Sequence, residues 1–233
     1  MVNYVSEEVN KIFSDMSRDY DRVNKACSSG TMIIWRRSAA KASMLKKKSF
    51  NALDIGTGTG ELVFEICREA ARLGKRVDVI GVDFSRDMIE VARRKASRLG
   101  VKARFELGDA MHLKYRRNTF DLVTSSLAVK NVDSQKQFAM EAYRVLRKGG
   151  RIVVLELIRP RNVLNRAVIN AYWGSVIRVG FIGRGGSYKA LKASVDRFDS
   201  SKLVHELDKA GFRDVRARTL FSGAAVLVTA DKS

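Results

Sequence analysis

The sequence predicts an α/β fold: a mostly parallel seven-stranded sheet with helices on both faces and a C-terminal antiparallel hairpin edge. Three observations predict it. Short apolar bursts alternate with amphipathic stretches from Phe50 to Ile158, the pattern of strands joined by helical crossovers. The first burst runs straight into a glycine-rich loop, Gly56-Thr57-Gly58-Thr59-Gly60, as a strand-to-helix turn requires. Near the end, two β-like runs are separated only by Ser222-Gly223 and their neighbours, which favours a hairpin.

The elements follow in order. Phe50 to Ile55 is a short strand ending in glycines. Glu61 to Leu73 has helical spacing, with Leu62, Ile66, Ala70 and Leu73 on one face. Val77 to Val82 is a second buried strand. Ser85 caps a helix running to Leu99, with Asp87 in its first turn and Gly100 at its end. Val101 to Leu107 and Thr119 to Ser125 are the third and fourth strands. Asp133 or Ser134 opens a helix to Arg147, stopped by Gly149-Gly150, and Arg151 to Ile158 is the fifth strand. A helix from Ser201 to Ala210 precedes the runs Val215–Leu220 and Ala224–Thr229. Two segments stand outside the alternation. Residues 1–47 read as a helical N-terminal cover, and residues 161–198 as a helical insertion forming a lid. Both would sit over the C-terminal strand ends, where open α/β sheets bind ligands. The whole chain, 1–233, reads as one domain.

Composition narrows the function. The 233 residues are 45% hydrophobic, enough for one buried core. Two cysteines, Cys27 and Cys67, and two distant histidines, His112 and His205, make neither a disulfide framework nor a metal site, so no metal is expected. The N-terminus lacks the basic-then-apolar pattern of a secretory signal, and no run reaches the ~18 apolar residues of a membrane span. The expectation is a cytoplasmic protein, in peripheral contact with membrane at most. Lys and Arg outnumber Asp and Glu by 44 to 25, a net charge of +19, so an anionic partner, nucleic acid or membrane, has to be weighed.

The sharpest motif is Leu53-Asp54-Ile55-Gly56-Thr57-Gly58-Thr59-Gly60-Glu61. Glycine permits positive φ and close approach of a ligand to the backbone. The loop is GxGxG behind an aspartate, not the dinucleotide spacing. Asp83 ends the second strand, where a carboxylate can accept from both ribose hydroxyls. Asp109 ends the third, placed to accept from an adenine amino group, while Ala110 offers a backbone N–H. An acidic lining suits a cationic cofactor without phosphate better than the anion site of a dinucleotide enzyme.

Together these features resemble the class I S-adenosylmethionine-dependent methyltransferases, with their Rossmann-like sheet, over about residues 48–230. The resemblance implies that Asp54 and the loop Gly56, Thr57, Gly58, Thr59 and Gly60 hold the methionine part. It assigns Asp83 to the ribose and Asp109-Ala110 to the adenine, and it adds Phe84, Met88 and Ser126 to the cofactor set. A closer resemblance is carried by Val9 to Phe13, Tyr20-Asp21-Arg22-Val23-Asn24, Ser28-Ser29-Gly30 and Trp35-Arg36-Arg37. Val129-Lys130-Asn131-Val132, Arg144 to Gly150 and Tyr172-Trp173-Gly174 carry it further. These are similar to the ubiquinone/menaquinone biosynthesis C-methyltransferases. Differences from that family's pattern are Met32, Lys130, Arg178 and the Gly56-Thr57-Gly58 form of the loop.

The closer resemblance implies carbon methylation of a quinol-type, lipophilic small molecule. Activating a ring carbon requires loss of a hydroxyl proton. The candidates are Asn131 orienting a water, Lys130 stabilising the phenolate, and Tyr20 or Asp21 at the mouth. The apolar stretch 168–182 is either a buried helix and lid edge, or a wall for an isoprenoid tail or a shallow membrane-contacting surface. Expected partners are the lipophilic substrate, an anionic membrane surface, and a second copy in a homodimer. Nucleic acid ranks lower, because no RNA-binding module is recognisable and the basic runs look scattered. Two alternatives stay open: an RNA methyltransferase using the basic surface, and a non-catalytic S-adenosylmethionine-binding scaffold, suggested by Met32 and Lys130.

Overall fold

The computed structural model describes residues 31–160, 194–196, 198–220 and 223–233. Tyr20, Asp21, Cys27 and the expected lid up to residue 193 lie outside the described residues. Helix α1 (Thr31–Ala42) precedes the sheet. Then come β1 (Ser49–Ile55), α2 (Glu61–Arg72), β2 (Arg76–Asp83), α3 (Arg86–Leu99) and β3 (Arg104–Leu107). After them follow β4 (Phe120–Ser126), α4 (Gln135–Val145), β5 (Leu146–Leu157), α5 (Ser200–Lys209), β6 (Phe212–Leu220) and β7 (Ala225–Lys232).

The seven strands lie in the order β3-β2-β1-β4-β5-β7-β6. β7 pairs antiparallel with both β5 and β6, and the other pairs are parallel. The expected hairpin is therefore present, with its second strand inserted inside its first. Strand period decides the two cores. Phe50 and Ala52 of β1 and Val153 and Leu155 of β5 face α1, α2 and α3. Leu53 and Ile55, with Ile152 and Val154, face α4 and α5. Both faces are covered, so the strands read as nearly continuous apolar runs.

The helix ends follow local chemistry. Ser85 accepts a hydrogen bond from Met88 N, and Gly100 closes α3 in the left-handed region at φ 65°. Of the two expected caps for α4, Ser134 is used and accepts from Gln137 N. That helix stops earlier than expected, at Val145. Leu146 already pairs with Phe120, and a bulge follows before Leu122 meets Arg151. Gly150 sits in that bulge because a Cβ there would come within 2.8 Å of the Arg147 carbonyl and 3.0 Å of the Asp121 carbonyl. The third strand is also shorter than expected, beginning at Arg104. α1 packs on α2 through Met32, Trp35, Ala39 and Ala40, an i, i+3, i+7, i+8 stripe. Among the described residues, no helix is long and apolar enough to cross a membrane.

Candidate functional site

The loop after β1 is held in place by its neighbour strand. Thr57 N donates to Val82 O at 2.9 Å, and Gly60 N donates to Thr57 O at 2.9 Å. Gly56, Gly58 and Gly60 all have positive φ, at 67°, 54° and 84°. Their surroundings differ. A Cβ on Gly56 would stand 2.3 Å from Ala128 Cβ, and one on Gly60 would meet the Phe64 and Phe105 rings. A Cβ on Gly58 would meet nothing within 4 Å. Gly56 and Gly60 are thus needed by the protein's own packing, and Gly58 borders open space.

Two buried carboxylates flank this loop. Asp54 is 1% exposed. Its Oδ1 accepts from Thr124 Oγ1 at 2.7 Å, the residue it faces in the β1–β4 register. Burial pushes its pKa up from 3.8 to about 6. The Thr124 and Thr57 hydroxyls oppose that rise, nearby Asp83 adds to it, and Arg36 opposes it. Thr57 Oγ1 leans towards Asp54 without completing a hydrogen bond. Asp83, at the end of β2, accepts from Gly58 N at 2.8 Å and from Ser85 N at 3.0 Å. One carboxylate thereby fastens both the glycine loop and the start of α3. Burial also raises its pKa, against the Ser85, Gly58 and Phe84 N–H groups.

The other expected cofactor residues surround this pair. Thr59 is buried beside Lys95, and Met88 is buried in the core. Phe84 is exposed. Ser126, the last residue of β4, has a buried hydroxyl with no hydrogen-bond partner among the described residues. Asp109 lies beyond β3, with Oδ1 accepting from Met111 N at 2.8 Å and Oδ2 lying 2.9 Å from His112 Nδ1. Ala110 packs against the α4–α5 core.

Past β4, Leu127 takes a positive φ of 62°, a strained state for a branched side chain. A 3₁₀ turn, Val129–Asn131, follows. Lys130 holds this corner. Its Nζ donates to the Leu127 carbonyl and to Glu156 Oε1, the latter at 3.0 Å, and its own N donates to Glu156 Oε2 at 3.1 Å. Both side chains are sealed from water, at 2% and 0% exposure. Lys130 is thus engaged in a buried ion pair on the β5 side of the corner. Asn131 is half-buried, and its side-chain amide makes no hydrogen bond to the described residues. Tyr20 lies outside the described residues.

Three contributors escaped sequence reasoning. Thr124 supports Asp54, Glu156 neutralises Lys130, and Arg36, 9% exposed, pairs with Glu61 Oε2 at 3.9 Å and bears electrostatically on Asp54. Glu156 carried a signal, as the one polar residue of the run Ile152–Leu157; Thr124 carried none, since Asp121, Ser125 and Ser126 share its strand. The acids, the unpartnered Ser126 hydroxyl and the space at Gly58 suit a cationic cofactor with hydroxyls to satisfy and no phosphate.

Comparison with known proteins agrees. Residues 1–232 match the ubiE/COQ5 methyltransferase family. The chain is similar to the demethylmenaquinone methyltransferase of Deinococcus radiodurans, 35% identical over 230 residues that cover 97% of this chain and 93% of the relative. It is also similar to the ubiquinone/menaquinone biosynthesis C-methyltransferase UbiE of Geobacter sulfurreducens, 33% identical over 231 residues, 97% of this chain and 89% of the relative. Among solved structures it resembles the Haemonchus contortus phosphoethanolamine N-methyltransferase 2 in complex with S-adenosyl-L-methionine. That likeness has a TM-score of 0.63 at 17% identity and covers 84% of this chain and 52% of the other. It speaks to the fold alone.

Proposed function

Because the chain belongs to the ubiE/COQ5 methyltransferase family, and so uses S-adenosylmethionine as methyl donor, we propose that it methylates a ring carbon of a quinol-type lipophilic small molecule. The observation that carries this reading is similarity over nearly the whole chain to relatives named for that reaction. When bound, the cofactor supplies an electrophilic methyl on a sulfonium.

The chain's own residues do the rest. Asp54 and the Gly56–Gly60 backbone receive the methionine part, Asp83 the ribose, and Asp109 with Ala110 the adenine, with Phe84, Met88 and Ser126 lining the remainder. Binding the acceptor and the methyl donor in line supplies most of the acceleration. Asn131 orients a water that takes the ring hydroxyl proton, raising electron density at the carbon to be methylated. Lys130 acts as a positioning residue. Paired with Glu156, it fixes the turn that presents Asn131 and presses Ala128 against Gly56. The expected cover, 1–47 and 161–198, lies for the most part outside the described residues, and α1 within it packs on the sheet face beside α2; 168–182 is assigned as a wall for an isoprenoid tail or a membrane-contacting surface.

Incubation with methyl-labelled cofactor and a demethylated, isoprenoid-bearing quinol tests this. The expected result is label on a ring carbon in the lipid extract. Cofactor binding without label in the quinol would favour a non-catalytic scaffold, and label in bulk RNA instead would move the substrate class.

A further inference from the structure

Most of the basic runs that look dispersed along the chain converge in the fold, Arg36-Arg37 in α1 and Arg93-Arg94-Lys95 in α3 being the exceptions. Residues 46–48 lead into β1, 75–76 into β2 and 116–117 into β4. Residues 147–151 begin β5, 213 begins β6, and 232 ends β7, which runs the other way. All therefore lie at one end of the sheet, opposite the glycine loop. The contacts bear this out. Lys47 Nζ and Arg147 Nη1 share the buried Asp121, at 2.6 and 3.3 Å. Lys75 Nζ donates to Lys47 O at 3.0 Å. Lys232 Nζ donates to Asn118 Oδ1 at 3.0 Å and Leu146 O at 2.7 Å.

This pole is strongly one-signed. These segments carry twelve Lys and Arg, and the acids in or beside them are Asp78, Asp121, Asp214 and Asp231. Asp121 and Asp231 are already neutralised within the pole, the latter by Arg151 at 2.7 Å. Adjacent strands are ~4.8 Å apart, well inside a Debye length of about 8 Å at physiological salt. The cations therefore act as one field. Of the exposed large hydrophobics among the described residues, Leu73 and Leu99 lie at this end as single side chains closing α2 and α3, and Ile34, Phe84, Leu107 and Met140 lie elsewhere.

We propose that this pole docks on the phosphate backbone of double-stranded nucleic acid without reading bases. Six strands, β2 to β6 in sheet order, span ~24 Å, a length over which a duplex carries about 14 phosphate charges. Half of the cations are arginines, whose planar fork suits phosphate. A protein partner would ask for a cluster of apolar anchors, and this end offers only the single side chains Leu73 and Leu99 among the exposed large hydrophobics. A bilayer fits less well, because the pole faces away from the loop end where a lipophilic acceptor enters. That last step alone rests on the proposed acceptor.

The test is fluorescence anisotropy of the full chain with a labelled 20-base-pair duplex of arbitrary sequence, titrated from 50 to 200 mM salt. Wild type should bind with log K falling by about 0.9 per phosphate contacted for each unit of log salt. K46Q/K48Q/R116Q/K148Q should flatten that slope by about 3 and lose about 100-fold in affinity at low salt. K46Q/K48Q alone should give about half the slope change. R86Q/R94Q/K136Q/K202Q removes the same charge from exposed positions of α3, α4 and α5 nearer the glycine-loop end and should stay within about threefold of wild type. Matched melting and cofactor binding establish that the variants fold. Equal losses in both quadruple variants, or no duplex binding at 50 mM salt, would overturn the proposal. So would loss of anionic-vesicle binding in the pole variant with duplex binding intact.

Discussion

Asp54→Asn separates what the buried carboxylate does for the ligand from what it does to the fold. Burial lifts the Asp54 pKa from 3.8 to about 6, so the folded state holds its proton more tightly than the unfolded state. The sign follows from linkage. Below pH ~4 the carboxyl is protonated in both states and imposes no charge penalty. As pH rises through about 6, stability falls, reaching a cost of roughly 3 kcal/mol at pH 7.5. Asparagine keeps an oxygen to accept from Thr124 and removes the charge. Unliganded Asp54→Asn should therefore melt about 6 °C above wild type at pH 7.5, and the gap should close towards pH 4. Cofactor affinity should move the other way. Wild-type affinity should drop as pH falls through about 6, up to tenfold per pH step, and the variant should be weak throughout. Differential scanning fluorimetry and calorimetry across pH 4–8 measure both. If Asp54→Asn melts below wild type by the same margin at every pH, the charge is not the strained element and the reasoning fails.

Three further outcomes follow from the same geometry. Gly58→Ala should fold with a loss of about 1–2 kcal/mol from its left-handed φ yet bind cofactor at least about tenfold more weakly, because its Cβ enters only the open space. Gly56→Ala should melt markedly lower, because its Cβ strikes Ala128; equal melting of the two variants would refute the distinction. Lys130→Met should cost about 3–5 kcal/mol in urea denaturation by stranding Glu156, with most of it recovered in K130M/E156L. Asn131→Ala should lower kcat by about 100-fold with cofactor affinity unchanged; normal turnover removes Asn131 from the mechanism.

The fold was legible because its determinants are local. Apolar bursts mark strands, Ser85, Ser134 and Gly100 mark helix ends, and a glycine loop announces a turn that side chains would obstruct. The acids Asp54 and Asp83 were legible for the same reason, as strand-end residues beside that loop. What the sequence hid depends on register. Thr124 meets Asp54 across 70 residues, and Glu156 meets Lys130 across 26, each by strand pairing that no local pattern encodes. The early end of α4 was hidden likewise, since Gly149-Gly150 serves a bulge and not a helix stop.

The charge shows the limit most clearly. Apart from Arg36-Arg37 in α1 and Arg93-Arg94-Lys95 in α3, the basic runs precede or open strands, so along the chain they look like unrelated solvated patches. In a parallel sheet every strand begins at the same end, and residues placed before successive strands become neighbours whatever separates them in sequence. The reversed β7 adds its C-terminal Lys232 to the same end. The two acids that flank the glycine loop stand at the other end, Asp54 and Asp83 being at or near strand C-termini. The sheet topology thus gathers twelve of the chain's 44 Lys and Arg at one end, opposite the end where the buried Asp54 and Asp83 flank the glycine loop. The two ends can be perturbed independently, since the exposed cations of the far end stand more than a Debye length of about 8 Å from Asp54 and Asp83 and are screened by salt.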